Sequence, residues 1–116
     1  MRITDRALRD RIMQVMGDPE SAVLLHSIRD TPKDALTISR ETGIPLSSVY
    51  RKLAALKAAG LSMTSSFVVT PEGKRQDMIV AAVTEVRVRM REDGLELELI
   101  PTQQNANRIW FEMFRS

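Results

Sequence analysis

Residues 34–61 read DALTISRETGIPLSSVYRKLAALKAAGL. Two helical patterns are separated by a break. Asp34 is a capping residue, and Ala35, Ile38 and Thr42 recur at helical spacing behind it. Gly43 then ends the first pattern as a residue suited to positive φ. Ile44-Pro45-Leu46 makes the turn, with Pro45 at the start of a second helix reaching about Ala59. Its apolar positions are Val49, Leu53 and Leu56, spaced i, i+4, i+7, and Gly60 closes it. The other side carries Ser47, Ser48, Tyr50, Arg51 and Lys52. The stretch therefore predicts a helix-turn-helix: an apolar back to the second helix and a polar, cationic front.

Upstream, the spacing predicts a helix over 4–16, capped by Thr4, with Leu8, Ile12, Val15 and Met16 as its apolar stripe. Asp18-Pro19 starts another, reaching about Arg29 with Ala22, Leu25 and Ile28 on one face. His26 falls off that face and is expected as a surface or half-buried histidine.

From Leu61 the period changes to two. Residues 62–69 favour a strand, and Thr70-Pro71-Glu72-Gly73 a turn. A strand follows from about Gln76 and becomes regular at Val86, Val88 and Met90. Asp93-Gly94 then suits a two-residue hairpin turn. That turn sets Glu92 opposite Leu95, Arg91 opposite Glu96, Met90 opposite Leu97, Arg89 opposite Glu98 and Val88 opposite Leu99. Opposite charges then pair on one face and aliphatics on the other. Such pairs contribute roughly 0.2–1 kcal/mol each, so these carboxylates read as a solvated ladder. A last helix is expected over about 103–114, with Ala106, Ile109 or Trp110, and Met113 or Phe114 at helical spacing.

A chain of 116 residues predicts one domain, and 43% hydrophobic residues supply one core. There is no cysteine, which removes disulfides, thiolate metal sites and a cysteine nucleophile. The single histidine has neither carboxylates at ligand spacing nor a serine in a catalytic pattern, and no glycine-rich phosphate loop appears. Neither an enzyme, a metal nor a cofactor is expected. The polar start and the lack of a long apolar run predict a cytoplasmic protein without a membrane partner. Net charge is only +2, but residues 1–60 carry +3 and residues 61–116 carry −1. The positive excess sits with the helix-turn-helix half, as binding to phosphates requires.

The run LTISRETGIPLSSVYRKLAALKAAGL, followed by VVTPEGKR, resembles the winged helix-turn-helix regulators of the ArsR-like group, in its archaeal form. The resemblance covers about residues 21–75 and is most specific at Gly43-Ile44, Val49-Tyr50-Arg51 and Ala59-Gly60-Leu61. It implies an α+β fold: a helical bundle with a β-hairpin wing over 1–76. A strand pair and helix over 77–116 would be added to the same compact domain. A helix fits the B-DNA major groove, about 12 Å wide, and its N-terminal residues reach base edges. Arg51 is thus expected on a guanine or a phosphate, and Tyr50 on a base or sugar. Ser47, Ser48 and Lys52 are expected on phosphates or waters. On the wing, Lys74 and Arg75 are the contact candidates, with Thr64, Ser65 and Ser66 as possible hydroxyl contacts.

The expected function is a sequence-specific, double-stranded-DNA-binding transcription regulator. It would be a homodimer joined through Ile109, Trp110, Met113 and Phe114, with recognition helices about 34–36 Å apart. The alternative is a winged-helix protein–protein adaptor without DNA binding, since fold does not fix function. A small-molecule effector between the helical core and the C-terminal hairpin is a further, unmarked possibility.

Overall fold

The computed structural model describes residues 1–102. The expected last helix, and with it Ile109, Trp110, Met113 and Phe114, lies outside the described residues. The chain is mixed α+β. Its elements in order are β1 (Arg2–Ile3), α1 (Arg6–Met16), α2 (Pro19–Ser27), α3 (Ala35–Thr42), α4 (Leu46–Ala58), β2 (Ser62–Val69), β3 (Arg75–Ala81), β4 (Val83–Arg91) and β5 (Gly94–Pro101).

Two of the four helix starts carry a side-chain cap; Asp34, expected to cap α3, makes no capping bond, and α4 starts after Pro45 without one. Asp5, not Thr4, caps α1, its carboxylate accepting from the Leu8 amide at 2.9 Å. Asp18 caps α2 and accepts from both the Ser21 amide and the Ser21 hydroxyl, the latter at 2.6 Å. That bond lets Ser21 be buried. The inward face of α2 is accordingly Ser21, Leu24 and Ile28, while Ala22 and Leu25 are only half-buried. The expected face was rotated by one residue because a buried serine looks polar until its partner is seen.

The turn between α3 and α4 is laced by hydroxyls. Gly43 takes φ 76°, and its amide donates to Ser39 O at 2.9 Å. Thr42 Oγ1 donates to Ile38 O and accepts from the Ile44 amide, while Ser39 Oγ donates to Ile44 O at 2.6 Å. Ile44 is buried at its centre. At the far end of α4, the Gly60 amide donates to Lys57 O and the Leu61 amide to Leu56 O. With Gly60 at φ 76° this is a Schellman closure, and Leu56 and Leu61 are both buried beside it.

Two small antiparallel sheets follow. β2 pairs with β3, and Lys33 adds a bridge to Ile79 from the segment between α2 and α3. The second sheet has the order β1-β5-β4. The expected single strand from Gln76 onward is two strands. The chain passes between sheets at Ala82, whose amide donates to Leu61 O and whose carbonyl accepts from the Thr102 amide. Ala81, Ala82 and Val83 are buried at this crossing. One buried cluster joins Ile12, Leu24, Ile38, Leu56 and Leu61 to Ile3, Leu97 and Leu99 of the second sheet. A division at residue 76 would cut β3.

The β4–β5 register also differs from expectation. Met90 faces Leu95, Arg89 faces Glu96, Val88 faces Leu97, Arg87 faces Glu98 and Val86 faces Leu99. The turn residues are Glu92 and Asp93 rather than Asp93 and Gly94. Type I′ would demand positive φ at both Asp93 and Gly94, yet only Gly94 has it, at φ 132°. The shift of two residues keeps every side chain on its expected face. Arg87 reaches Glu98, and Arg2, Arg89 and Arg91 gather on Glu96.

The packing sets a contrast in stability. Leu56, wholly buried, is expected to cost about 2–5 kcal/mol when cut to alanine. Met90, 86% exposed on the same apolar hairpin face as Leu97, should cost less than about 0.5 kcal/mol. Urea melts of Leu56→Ala and Met90→Ala measure both.

Candidate nucleic-acid interface

The outer face of α4 follows from its inner one. Val49, Leu53 and Leu56 are buried, which leaves Ser47, Tyr50, Arg51, Ala54 and Lys57 exposed along one line. The helix carries three cations and no carboxylate. At about 1.5 Å per residue, its 13 residues span roughly 20 Å. Tyr50 is 61% exposed, and its ring is not packed away.

Lys52, expected on the outer face, is turned inward. Its ammonium lies 2.6 Å from Asp18 Oδ2 and 3.5 Å from Glu20 Oε1, and its side chain is only 12% exposed. It ties α4 to the start of α2. Ser48 is half-buried. Lys57 was missed by sequence reasoning, although it continues the three-to-four residue spacing from Ser47 through Tyr50 and Ala54. Among the described residues neither the Arg51 guanidinium nor the Lys57 ammonium has a hydrogen-bonding or ion-pair partner. Arg11 of α1 donates to Ala58 O at the C-terminal end of α4, where a cation suits the helix dipole.

The β2–β3 hairpin places its candidates unequally. Lys74 is exposed at the turn, which Thr70 holds by accepting from the Lys74 amide and donating to its carbonyl. Arg75 is engaged: it pairs with Asp77 at 2.9 Å and lies 4.2 Å over the Phe67 ring. β2 bulges at Ser65, between the Thr64–Ile79 and Ser66–Met78 pairs, and the Ser65 hydroxyl donates to Met78 O. Thr64 is half-buried, and Ser66 is exposed. Between α3, α4 and this hairpin runs a groove of about 330 Å³, bringing Tyr50 and Lys57 onto the same cavity as Arg75, Asp77 and Asp34.

A second cleft, of about 430 Å³, lies between α2 and β4. His26, Arg29 and Glu85 line it with Met16, Leu25 and Val86. The cleft lies between the helical core and the C-terminal hairpin, the place the sequence suggests for an effector, and His26 is exposed there. No three His, Cys, Asp or Glu side chains among the described residues are grouped to hold a metal ion. No helix among them is long and apolar enough to cross a membrane.

The clamp between α2 and α4 has a pH signature. The hydrogen bond from the Lys52 ammonium, helped by those from Ser21, lowers the Asp18 carboxyl from 3.8 to about 2, against a smaller opposing effect of burial. A carboxyl lowered on folding stabilises the native state above its unfolded value and loses that effect as pH falls through the folded one. The contribution is therefore present above about pH 4 and fades towards pH 2. The hydrogen bond with Asp18 likewise raises Lys52 above 10.5, so the lysine's part is present below that pH and fades above it. Urea melts of Lys52→Met should show a flatter acid limb than the parent between neutral pH and about pH 2.

No protein-family model matches the chain, and no curated relative matches it.

Proposed function

We propose that the chain is a winged helix-turn-helix regulator that binds double-stranded DNA sequence-specifically and acts as a homodimer. One observation carries the proposal: α4 buries Val49, Leu53 and Leu56 and leaves Ser47, Tyr50, Arg51 and Lys57 in solvent, with both cations unpartnered among the described residues. The order of elements supports it. On this reading α3 and α4 are the helix-turn-helix and β2–β3 is the wing, which the Lys33–Ile79 bridge ties to the segment between α2 and α3.

On this reading α4 enters the major groove. Arg51 contacts a guanine edge or a phosphate, Tyr50 a base or sugar, and Ser47 the backbone. Lys57 replaces Lys52 as the phosphate contact towards the C-terminal end of the helix, because Lys52 is held by Asp18. Lys74 reaches the neighbouring backbone from the wing. Arg75 contributes less, since Asp77 already offsets its charge.

The adaptor reading also has an observation in its favour. Leu36 and Tyr50 are exposed at the groove, Leu46 at the start of α4, and Phe67, Val68 and Val69 on the β2–β3 hairpin, as a protein partner would require. DNA binding separates the two.

Sequences selected from random duplex DNA should share a two-fold symmetric site. Arg51→Ala should weaken binding to that site by about 1–3 kcal/mol, measured by fluorescence anisotropy. Lys74→Ala should weaken all duplexes alike and lower the slope of log affinity against log salt by about 1. Absence of duplex binding at low salt, or an Arg51→Ala variant as tight as the parent, would favour the adaptor.

A further inference from the structure

The groove between α3, α4 and the β2–β3 hairpin holds chemistry that a duplex does not use. Ala35, Leu53, Met63 and Ile79 give it apolar lining. Ser62 also lines it, is 4% exposed, and has a buried hydroxyl with no hydrogen-bond partner. Buried hydroxyls are nearly always satisfied; the described residues hold two that are not, on Ser27 and Ser62, and of the two Ser62 lines this groove.

Two opposite charges line the same groove. Asp34 precedes α3 as its cap residue, yet its carboxylate makes no capping bond and has no other partner among the described residues. Lys57 lines the groove from α4 with its ammonium equally unpartnered. The other charged pair in the groove, Arg75 and Asp77, is closed on itself. The free charges are thus one acid and one base.

We infer that this groove binds a small zwitterion with an apolar side chain, of the class of the free aliphatic α-amino acids. The Asp34 carboxylate accepts hydrogen bonds from the ligand ammonium, and the Lys57 ammonium donates to the ligand carboxylate. The side chain lies on Leu53, Met63 and Ile79, and Ser62 gains a polar partner. The volume of about 330 Å³ is at the small end of ligand sites, which run from about 300 to 1,000 Å³, and so suits a ligand of this size. A phosphate ester is disfavoured, because the unpaired Asp34 carboxylate would oppose it. Since Lys57 and Tyr50 also belong to the outer face of α4, a bound amino acid competes with duplex DNA. That consequence alone rests on the DNA-binding reading.

The test uses the full chain without DNA. L-leucine is titrated into the labelled protein and amide shifts are followed by NMR, beside 4-methylpentanoate, which lacks the ammonium, and isoamylamine, which lacks the carboxylate. Saturable shifts at Leu36, Ala54, Met63 and Gln76 are expected with leucine, and binding at least about tenfold weaker with either control. Asp34→Asn should weaken leucine about tenfold and leave 4-methylpentanoate unchanged. Ala54→Leu, which fills the groove from an exposed position, should abolish the shifts in a chain whose spectrum is otherwise preserved. No saturable shift with leucine, equal binding of all three compounds, or undiminished binding by both variants would overturn the inference. Leucine binding without duplex binding would uphold the site and remove only the competition.

Discussion

The rotation of α4 about its own axis decides what this protein can present to a partner. Val49, Leu53 and Leu56 are buried together, so the helix cannot turn without exposing one of them. Burying a side chain of this size is worth about 1.5–3 kcal/mol. Three such anchors outweigh any preference of the surface residues. Ser47, Tyr50, Arg51 and Lys57 face outward as a consequence. The hydroxyls of Ser39 and Thr42 hold the turn at one end, and Gly60 with Leu61 closes the other.

That same rotation accounts for the different fates of adjacent cations. Arg51 and Lys52 are neighbours in the chain but lie about 100° apart around a helix of 3.6 residues per turn. One reaches solvent. The other comes within 2.6 Å of Asp18, which is already committed as the cap of α2. A carboxylate serving both a helix start and a lysine from another helix couples two local structures. The cationic character of α4 is thereby reduced on one flank and left intact on the other.

The two hairpins are held by different means. β2–β3 is tied to the helices by Lys33 pairing with Ile79 and by the Ala81 amide donating to Ile28 O. β4–β5 is tied by β1 and by the burial of Leu97 and Leu99 in the shared core. Their junction is the run Ala81-Ala82-Val83, where small side chains let the backbone pass close to Leu61 and Thr102. The groove is lined by Tyr50, Leu53, Ala54 and Lys57 of α4 on one side and by Ser62, Met63 and Thr64 of the first hairpin on the other.

The helices were legible from residues alone, because period, caps and glycines act within a few positions. Asp18-Pro19, Gly43 and the Val49-Leu53-Leu56 spacing each specify their structure locally. Of the residues expected on the outer face of α4, Ser47, Tyr50 and Arg51 are exposed there, whereas Ser48 and Lys52 are not, and Lys57 joins it. The partner of Lys52 was not legible, since Asp18 lies 34 positions away and only folding brings them together. Nor was the face of α2, where Ser21 is made apolar in effect by its bond to Asp18. The β4–β5 pairing shows the division most plainly. Alternation dictates which side of a strand each residue takes, and that parity held through a shift of two residues. Where along its neighbour the strand stops is invisible to alternation. The tertiary structure sets it: Gly94 alone takes positive φ at the turn, and β5 is also paired with Arg2 and Ile3.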